Sequence, residues 1–375
     1  MNYLNMKCFL FNQYLKVVRL LASLILVFFS CLVQSSEVAE IQASKIALDS
    51  REHFNSRSIY VELGNKSFVF FHKIHGFHYK KMSIRVSELP ISGQPPMQSK
   101  AISTIESLPN NTFTSLSGLT SVDGEQWLYF TVSAELKTGS ATIMKGRLQP
   151  NAELTDITKV AINDGLRGLS WPYIYYDNGL YYLVYRKNKC CGLGLAVSDN
   201  GIDFETRDTL NKTGFMPAIN QFASGSLIYT YQRSFNTGEL KPNGKMRRVI
   251  KSRYKISHDK GQSWQTEQIM SSAVHSVHDA VPFLRKDGNI DLYYSHGFNR
   301  EPGHWSLWRR CVSPAGKLGK EYLIADQSIG HVAKPNIFRR GDGSIAVLFI
   351  EQGENILNGP IQYFSVLQND AACDL

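Results

Sequence analysis

Hydrophobic positions along the chain are gathered into short runs, and six of these runs follow a turn glycine. They read "LGNKSFVFFHK" from Leu63, "DGEQWLYFTVS" from Asp123, "NGLYYLVYRK" from Asn178, "SGSLIYTYQR" from Ser224, "DGNIDLYYSHG" from Asp287 and "DGSIAVLFIEQ" from Asp342. Asp-Gly or Asn-Gly ahead of a β-branched or aromatic run predicts a tight hairpin, because such turns need backbone at positive φ. Four units place a proline just upstream, at Pro172, Pro217, Pro282 and Pro335. A strand's first residue loses little by lacking an N–H. Each unit therefore reads as proline, strand, turn, strand and a variable outer part, with no long amphipathic helix between. A period of roughly 50 residues with several strands per unit predicts an all-β chain folded as a β-propeller. Six signals predict six blades; a five-bladed propeller with an extra hairpin is the alternative.

The first residues stand outside this pattern. Lys7, Lys16 and Arg19 precede the apolar run "LLASLILVFFSCLV", and Asp and Glu are absent until Glu37. That run is short for a membrane span. With small residues at Val33 and Ser35, it reads as a signal peptide over residues 1–35. The rival readings are an uncleaved anchor and a lipid-modified Cys31. Residues 36–375 then form a single β-propeller domain, secreted or periplasmic, with no stable membrane insertion after cleavage and expected as a monomer.

Charge adds a partner class. The net charge of +9 falls to +6 once residues 1–35 are removed, a modest excess that favours anionic partners. The most basic stretch, "KMRRVIKSRYK" (Lys245 to Lys255), alternates as a β-strand with a solvated face does, and no nucleic-acid-binding arm is expected. Cys190, Cys191, Cys311 and Cys373 remain after cleavage, and export makes disulfides plausible. Three pairings are open, one of them with a vicinal Cys190–Cys191 bridge. No C-x-x-C occurs, and neither a metal nor a cofactor is expected.

In a propeller, inner strands begin near the axis at one face, and the second strand of each unit returns to that face. Residues ahead of the prolines should therefore meet residues about eight places after the turn glycines. The latter are His72, Val132, Lys187, Arg233, His296 and Glu351, with Arg186 beside Lys187. The former are Arg167, the pair His278–Asp279, and His331; Arg57 opens the first unit. His278 and His331 both stand four residues ahead of a proline and read as equivalent positions. Arginine forks bind carboxylates, so Arg57, Arg167, Arg186 and Arg233, with His72 and His296, are the candidate substrate-binding residues. Glu351, Asp279, His278 and His331 are the candidates for proton transfer. Glu351 ends the apolar run "IAVLFIE", where a buried acid needs a partner. The plain alternative for each histidine is a structural residue at a strand end, and for Asp279 a loop cap.

Three resemblances extend this reading. "SHDKGQSW" (Ser257 to Trp264) has the spacing S-x-D-x-G-x-x-W, and "SDNGIDF" (Ser198 to Phe204) is a looser copy. The first resembles the Asp-box of the sialidase superfamily, whose propeller the six units resemble over roughly residues 55 to 367. The box itself is a fastener, with an aspartate accepting backbone N–H bonds and a tryptophan packing between strands. The family implies hydrolysis of an acidic oligo- or polysaccharide by an arginine triad, a Tyr/Glu pair and an Asp acid. Here "RSIYVELGNKSFVFF" resembles the first arginine motif at Arg57. The units are also similar to five-bladed furanosidase-type glycosidases, which need an Asp directly before strand-initial prolines; Trp171, Met216, Val281 and Lys334 occupy those places. Third, "SWPYIYYDNGLYYLVYRKNKCCGLG" resembles propeller-type polysaccharide lyases, which eliminate across a uronic acid using a cation and a His or Tyr. The expectation is a sialidase-like glycoside hydrolase, with a lyase or a non-catalytic glycan-binding propeller as alternatives.

Overall fold

A computed structural model describes residues 46–49, 58–75, 81–89, 99–134, 141–163, 170–187, 192–270, 276–297, 305–325, 331–352, 361–367, 370 and 372–375. Strand β1 (Ile46–Asp49) precedes a series of antiparallel meanders. The first is β2 (Ile59–Leu63), β3 (Lys66–His75), β4 (Lys81–Glu88) and β5 (Lys100–Ala101), followed by the short helix α1 (Ser103–Glu106). The second is β6 (Phe113–Val122), β7 (Glu125–Ser133), β8 (Thr142–Leu148) and β9 (Leu154–Lys159). After β10 (Ala161–Asn163), the third is β11 (Ser170–Asp177), β12 (Leu180–Lys187), β13 (Gly192–Ser198) and β14 (Asp203–Asn211), to which β10 adds a parallel edge. The fourth is β15 (Phe215–Gln221), β16 (Leu227–Leu240), β17 (Met246–Ser257) and β18 (Gln268–Ile269). The fifth is β19 (Ser276–Leu284), β20 (Ile290–Gly297), β21 (Trp305–Val312) and β22 (Leu318–Ala325). The last is β23 (His331–Arg339), β24 (Ile345–Gln352) and β25 (Ile361–Leu367), and β1 pairs with β25 to complete it.

The six turn glycines all sit at positive φ, between 62° and 87°. One signal yields three turn types, and at Gly64–Asn65 only the glycine of a two-residue loop has positive φ. Asp123-Gly124 and Asn178-Gly179 have both central residues at positive φ and close two-residue loops, the type that matches strand twist. Gly225, Gly288 and Gly343 instead sit fourth in five-residue loops. There the loop's first N–H bonds to its last carbonyl, as in Phe222 N–H to Ser226 O at 2.9 Å.

The apolar runs bury both faces of their strands, because each meander is packed on two sides. Phe70 and Val86 of the first meet Leu128 and Phe130 of the second. Tyr129 joins Ile174 and Leu183, Leu195 joins Tyr229, and Ile228 joins Leu292. Tyr293 joins Val347, and finally Leu348 and Ile350 of the last meander meet Val69 and Phe71 of the first. The core is thus a circle of clusters between neighbouring sheets, which is a β-propeller arrangement. Each large side chain so buried contributes about 1.5–3 kcal/mol.

The Ser257–Trp264 turn fastens two meanders. Ser257 Oγ accepts from Gly261 N–H at 2.8 Å and donates to Asp259 Oδ1 at 2.7 Å. Ser263 gives Asp259 both its N–H and its hydroxyl, and these bonds with that of Ser257 pull the Asp259 carboxyl down to about 2. Gly261 has φ 87°, and a Cβ there would lie 2.7 Å from Leu195 Cδ2 of the third meander. Trp264 meets Tyr229 edge-on at 4.7 Å. The Ser198–Phe204 turn repeats the serine bond, Gly201 N–H to Ser198 Oγ at 2.9 Å, and receives the Tyr129 hydroxyl on Gly201 O.

Cys311 and Cys373 form a disulfide, which resolves one of the open pairings; Cys190 and Cys191 lie outside the described residues. Among the described residues, no helix is long and apolar enough to cross a membrane.

Candidate functional site

A β-bulge interrupts most inner strands near their start. The ladder skips between Ser170 and Tyr173, Phe215 and Ala218, His278 and Val281, and Ala333 and Asn336. The first bulged residue takes left-handed backbone: Met216 at φ 53°, Asp279 at φ 57° and Lys334 at φ 57°. Such a conformation costs a non-glycine residue about 1 kcal/mol or more, and strain of this kind gathers at sites where a side chain must be aimed.

The bulges bring neighbouring meanders together. Gln232 Oε1 of the fourth accepts the Asp279 backbone N–H of the fifth at 2.9 Å. Asp279, only 3% exposed, places Oδ2 3.5 Å from Lys334 Nζ of the last. Lys334 in turn faces His72 of the first meander. Burial, with the Lys334 charge added, pushes the His72 imidazole down to about 3, so it stands neutral at any ordinary pH. A polar path thus runs from Gln232 through Asp279 and Lys334 to His72 across the inner strands of four meanders. Glu351 is buried on β24, and its ladder partner Val332 lies two residues before the Lys334 bulge.

The remaining candidates divide. The His278 ring packs 4.1 Å from the Trp305 ring, and the His296 ring lies 5.7 Å from Trp308. Arg186 ends β12 half-buried opposite Ser170. Arg233 turns toward the body of the fourth meander, 3.8 Å from Glu267 and over the Phe235 ring at 5.2 Å. Arg57 and Arg167 lie outside the described residues, as does the His331 side chain.

The register corrects one expectation. His331 pairs with Gln352, nine places after its turn glycine, whereas His278 pairs with Ser295, seven after its own. His331 therefore corresponds to Ser276, and His278 to Ala333. Distance to a proline misled because Pro335 is the second bulged residue while Pro282 lies beyond its bulge. The same register puts Asp279, not Val281, in the place that Met216 and Lys334 hold. Lys334 and Gln232 were not read as site residues; a lysine before a strand-initial proline was the one signal available. Among the described residues, no group of three or more His, Cys, Asp or Glu is gathered as metal ligands.

No protein-family model matches the chain, and no curated protein matches it. Solved structures do. A protein of unknown function from Dyadobacter fermentans superposes with a TM-score of 0.64 at 11% identity, covering 87% of this chain and 98% of that one. The K499G mutant of NanB sialidase from Streptococcus pneumoniae gives 0.58 at 12% identity, covering 89% and 71%. The α-L-arabinanase of Penicillium chrysogenum, complexed with arabinobiose, gives 0.57 at 13% identity, covering 87% and 98%. A leech intramolecular trans-sialidase gives 0.57 at 10% identity, covering 86% and 68%. What these likenesses share with the circle of sheets described above is the fold, and this chain has the β-propeller fold that sialidases and an arabinanase also have.

Proposed function

We propose that the protein is a six-bladed propeller enzyme, exported by a signal peptide over residues 1–35, that hydrolyses glycosidic bonds in an acidic glycan. One meander for each turn glycine, and a core cluster at every junction, support six blades over five. Carbohydrate-active fold neighbours support a glycan substrate, and the cationic surplus of the chain favours an acidic one. The observation that carries the chemistry is the buried Asp279–Lys334 pair on strained bulges where inner strands begin.

Glycoside hydrolysis needs one carboxyl group to protonate the leaving oxygen and a second to assist attack from the other side. Asp279 and Glu351 supply the two. Lys334 and Arg186 supply charge for a substrate carboxylate. Gln232 fixes the Asp279 backbone, so the carboxylate is aimed before substrate arrives.

One observation favours a second reading. A neutral His72 beside a lysine can serve elimination across a uronic acid: the imidazole takes the C5 proton, the freed electron pair forms the C4–C5 double bond, the C4–O bond breaks, and the departing oxygen takes a proton from water. The test is a screen of acidic polysaccharides read for new reducing ends and for ultraviolet absorbance together. Reducing ends without absorbance support hydrolysis; absorbance transfers the protein to the lyase reading. Binding with neither signal makes it a non-catalytic glycan binder and overturns the proposal. Asp279→Asn is expected to cut turnover about 10²–10⁴-fold while the protein stays folded.

A further inference from the structure

Strands β16 and β17 are 14 and 12 residues long, against seven to nine for most strands around them. Their inner neighbour β15 begins at Phe215, paired with Gln232. Beyond Gln232 the two strands lose their inner neighbour and run on as a two-stranded hairpin about 20 Å long, its root held where Ile250 N–H meets Ser276 Oγ at 3.2 Å. Its tip is closed by Lys241 N–H to Lys245 O at 2.8 Å around Gly244 at φ 74°. Because Gln232 holds the Asp279 backbone, the hairpin springs from the face that carries the candidate site.

Charge is concentrated there. From Arg233 to Arg253 the hairpin and its root in the blade carry seven Lys or Arg against one acid, Glu239. That surplus equals the whole net charge left beyond residue 35, so the rest of the domain is balanced. The register pairs Arg233 with Lys251 and Phe235 with Val249, which sets these four side chains on one face. The Arg233 and Arg253 guanidiniums both lie over Phe235, at 5.2 and 4.4 Å. Both also share one carboxylate, Glu267, 3.8 Å from Arg233 and in direct ion pair with Arg253. Arg253 Nε is buried with no acceptor among the described residues. Burial, and then the charge of the neighbouring Arg233, push the Arg253 guanidinium down.

We propose that the β16–β17 hairpin is a docking site for a polyanionic polysaccharide chain, which lies along its cationic face and leads toward Asp279. The proposal rests on the acidic-glycan reading and not on the reaction assigned to it. A long chain fits better than the other anionic partners. A lipid surface would engage the tip, where Leu240 and Met246 are 65% and 46% exposed, and would leave the arginines at the root unused. Single-stranded nucleic acid needs open aromatic platforms, and the ring of Phe235 is already covered by two guanidiniums. On this face Arg247, Lys251 and Arg253 stand in line along β17, with Arg233 beside Lys251 on β16, a row of cations that a flexible charged chain can follow.

The test uses the full chain and its Arg247→Glu/Lys251→Glu variant, with Lys100→Glu/Lys159→Glu as a control that makes the same charge change on exposed residues of another sheet. Binding to heparin and to polygalacturonate is read by affinity electrophoresis at several salt concentrations, with thermal melting as the check on folding. The hairpin variant should bind about tenfold or more weakly, with a shallower salt dependence, while the control binds as the parent does. Equal binding by parent and hairpin variant, or equal loss in the control, overturns the proposal. So does tighter binding to anionic vesicles or to single-stranded DNA than to both polysaccharides. Binding is read without turnover, so retention by a protein that cleaves nothing leaves the dock and removes the hydrolase, and cleavage without retention does the reverse.

Discussion

Two buried carboxylates in adjacent strands of the fifth meander have opposite surroundings. Asp291 is fully buried between Arg309, which bonds Oδ1 at 2.9 Å, and Arg285, which bonds Oδ2 at 2.9 Å. Arg309 also donates to Ala372 O at 2.9 Å and stacks on Tyr322, and Arg285 reaches Asp287. Both carboxylate oxygens are in use, the backbone is ordinary, and a disulfide closes the edge. Asp279 lies about as deep, yet it stands on left-handed backbone and meets its lysine at 3.5 Å. Asp291 is locked between two guanidiniums and shut away from any ligand. Asp279 stands on strained backbone beside an amine, at the place where inner strands begin. The contrast separates a structural ion cluster from a candidate reactive one without reference to any other protein.

The contrast breaks most visibly at Asp291. Asp291→Ala would leave two guanidiniums facing each other inside the core, and a loss of about 3–5 kcal/mol in denaturant unfolding is expected. A smaller loss than that of Asp279→Asn would mean the two clusters had been ranked the wrong way round. Next is the disulfide, whose cysteines are 62 residues apart. Cys373→Ser should cost about 2–4 kcal/mol, and reductant should destabilise the parent but not the variant. Smaller still is the acid response of His72, whose folded value near 3 lies below the ordinary 6.5. The unfolded chain then binds a proton that the folded one refuses, so stability falls as pH drops from 6.5 toward 3. At pH 5 the loss is about 2 kcal/mol, and His72→Gln should flatten that part of the melting profile. An equally steep profile in the variant would remove the assignment. Asp279→Asn keeps the shape of the side chain and leaves Lys334, 19% exposed, within reach of water, so its cost of about 1–2 kcal/mol should fall short of that of Asp291→Ala and leave the larger effect to turnover.

Much of the fold was legible because its signals are local. A turn glycine that needs positive φ, followed by an alternating or wholly apolar run, marks a hairpin wherever it falls, and all six glycines have that backbone. The site was less legible because it depends on register. One extra residue in a bulge shifts every later residue of an inner strand relative to its neighbour, and proline marks no fixed place within that bulge. Hence His278 and His331 were aligned two residues out of step, and Lys334 was noticed only as a missing aspartate. Arg233, chosen for its place after a glycine, is drawn outward by Glu267, a partner 34 residues away that no periodicity announces. The disulfide partner of Cys311 lay equally beyond reach, since it depends on where the tail is folded back.

That tail and strand β1 have a consequence for biogenesis. The sheet closed by β25 takes its outermost strand from ahead of all the other strands described, and Arg309 finds its last acceptor at Ala372, beyond β25. Synthesis delivers β1 and β25 far apart in time. The early strand must therefore wait unpaired until β25 has emerged, and the ring is sealed as one late event rather than sheet by sheet.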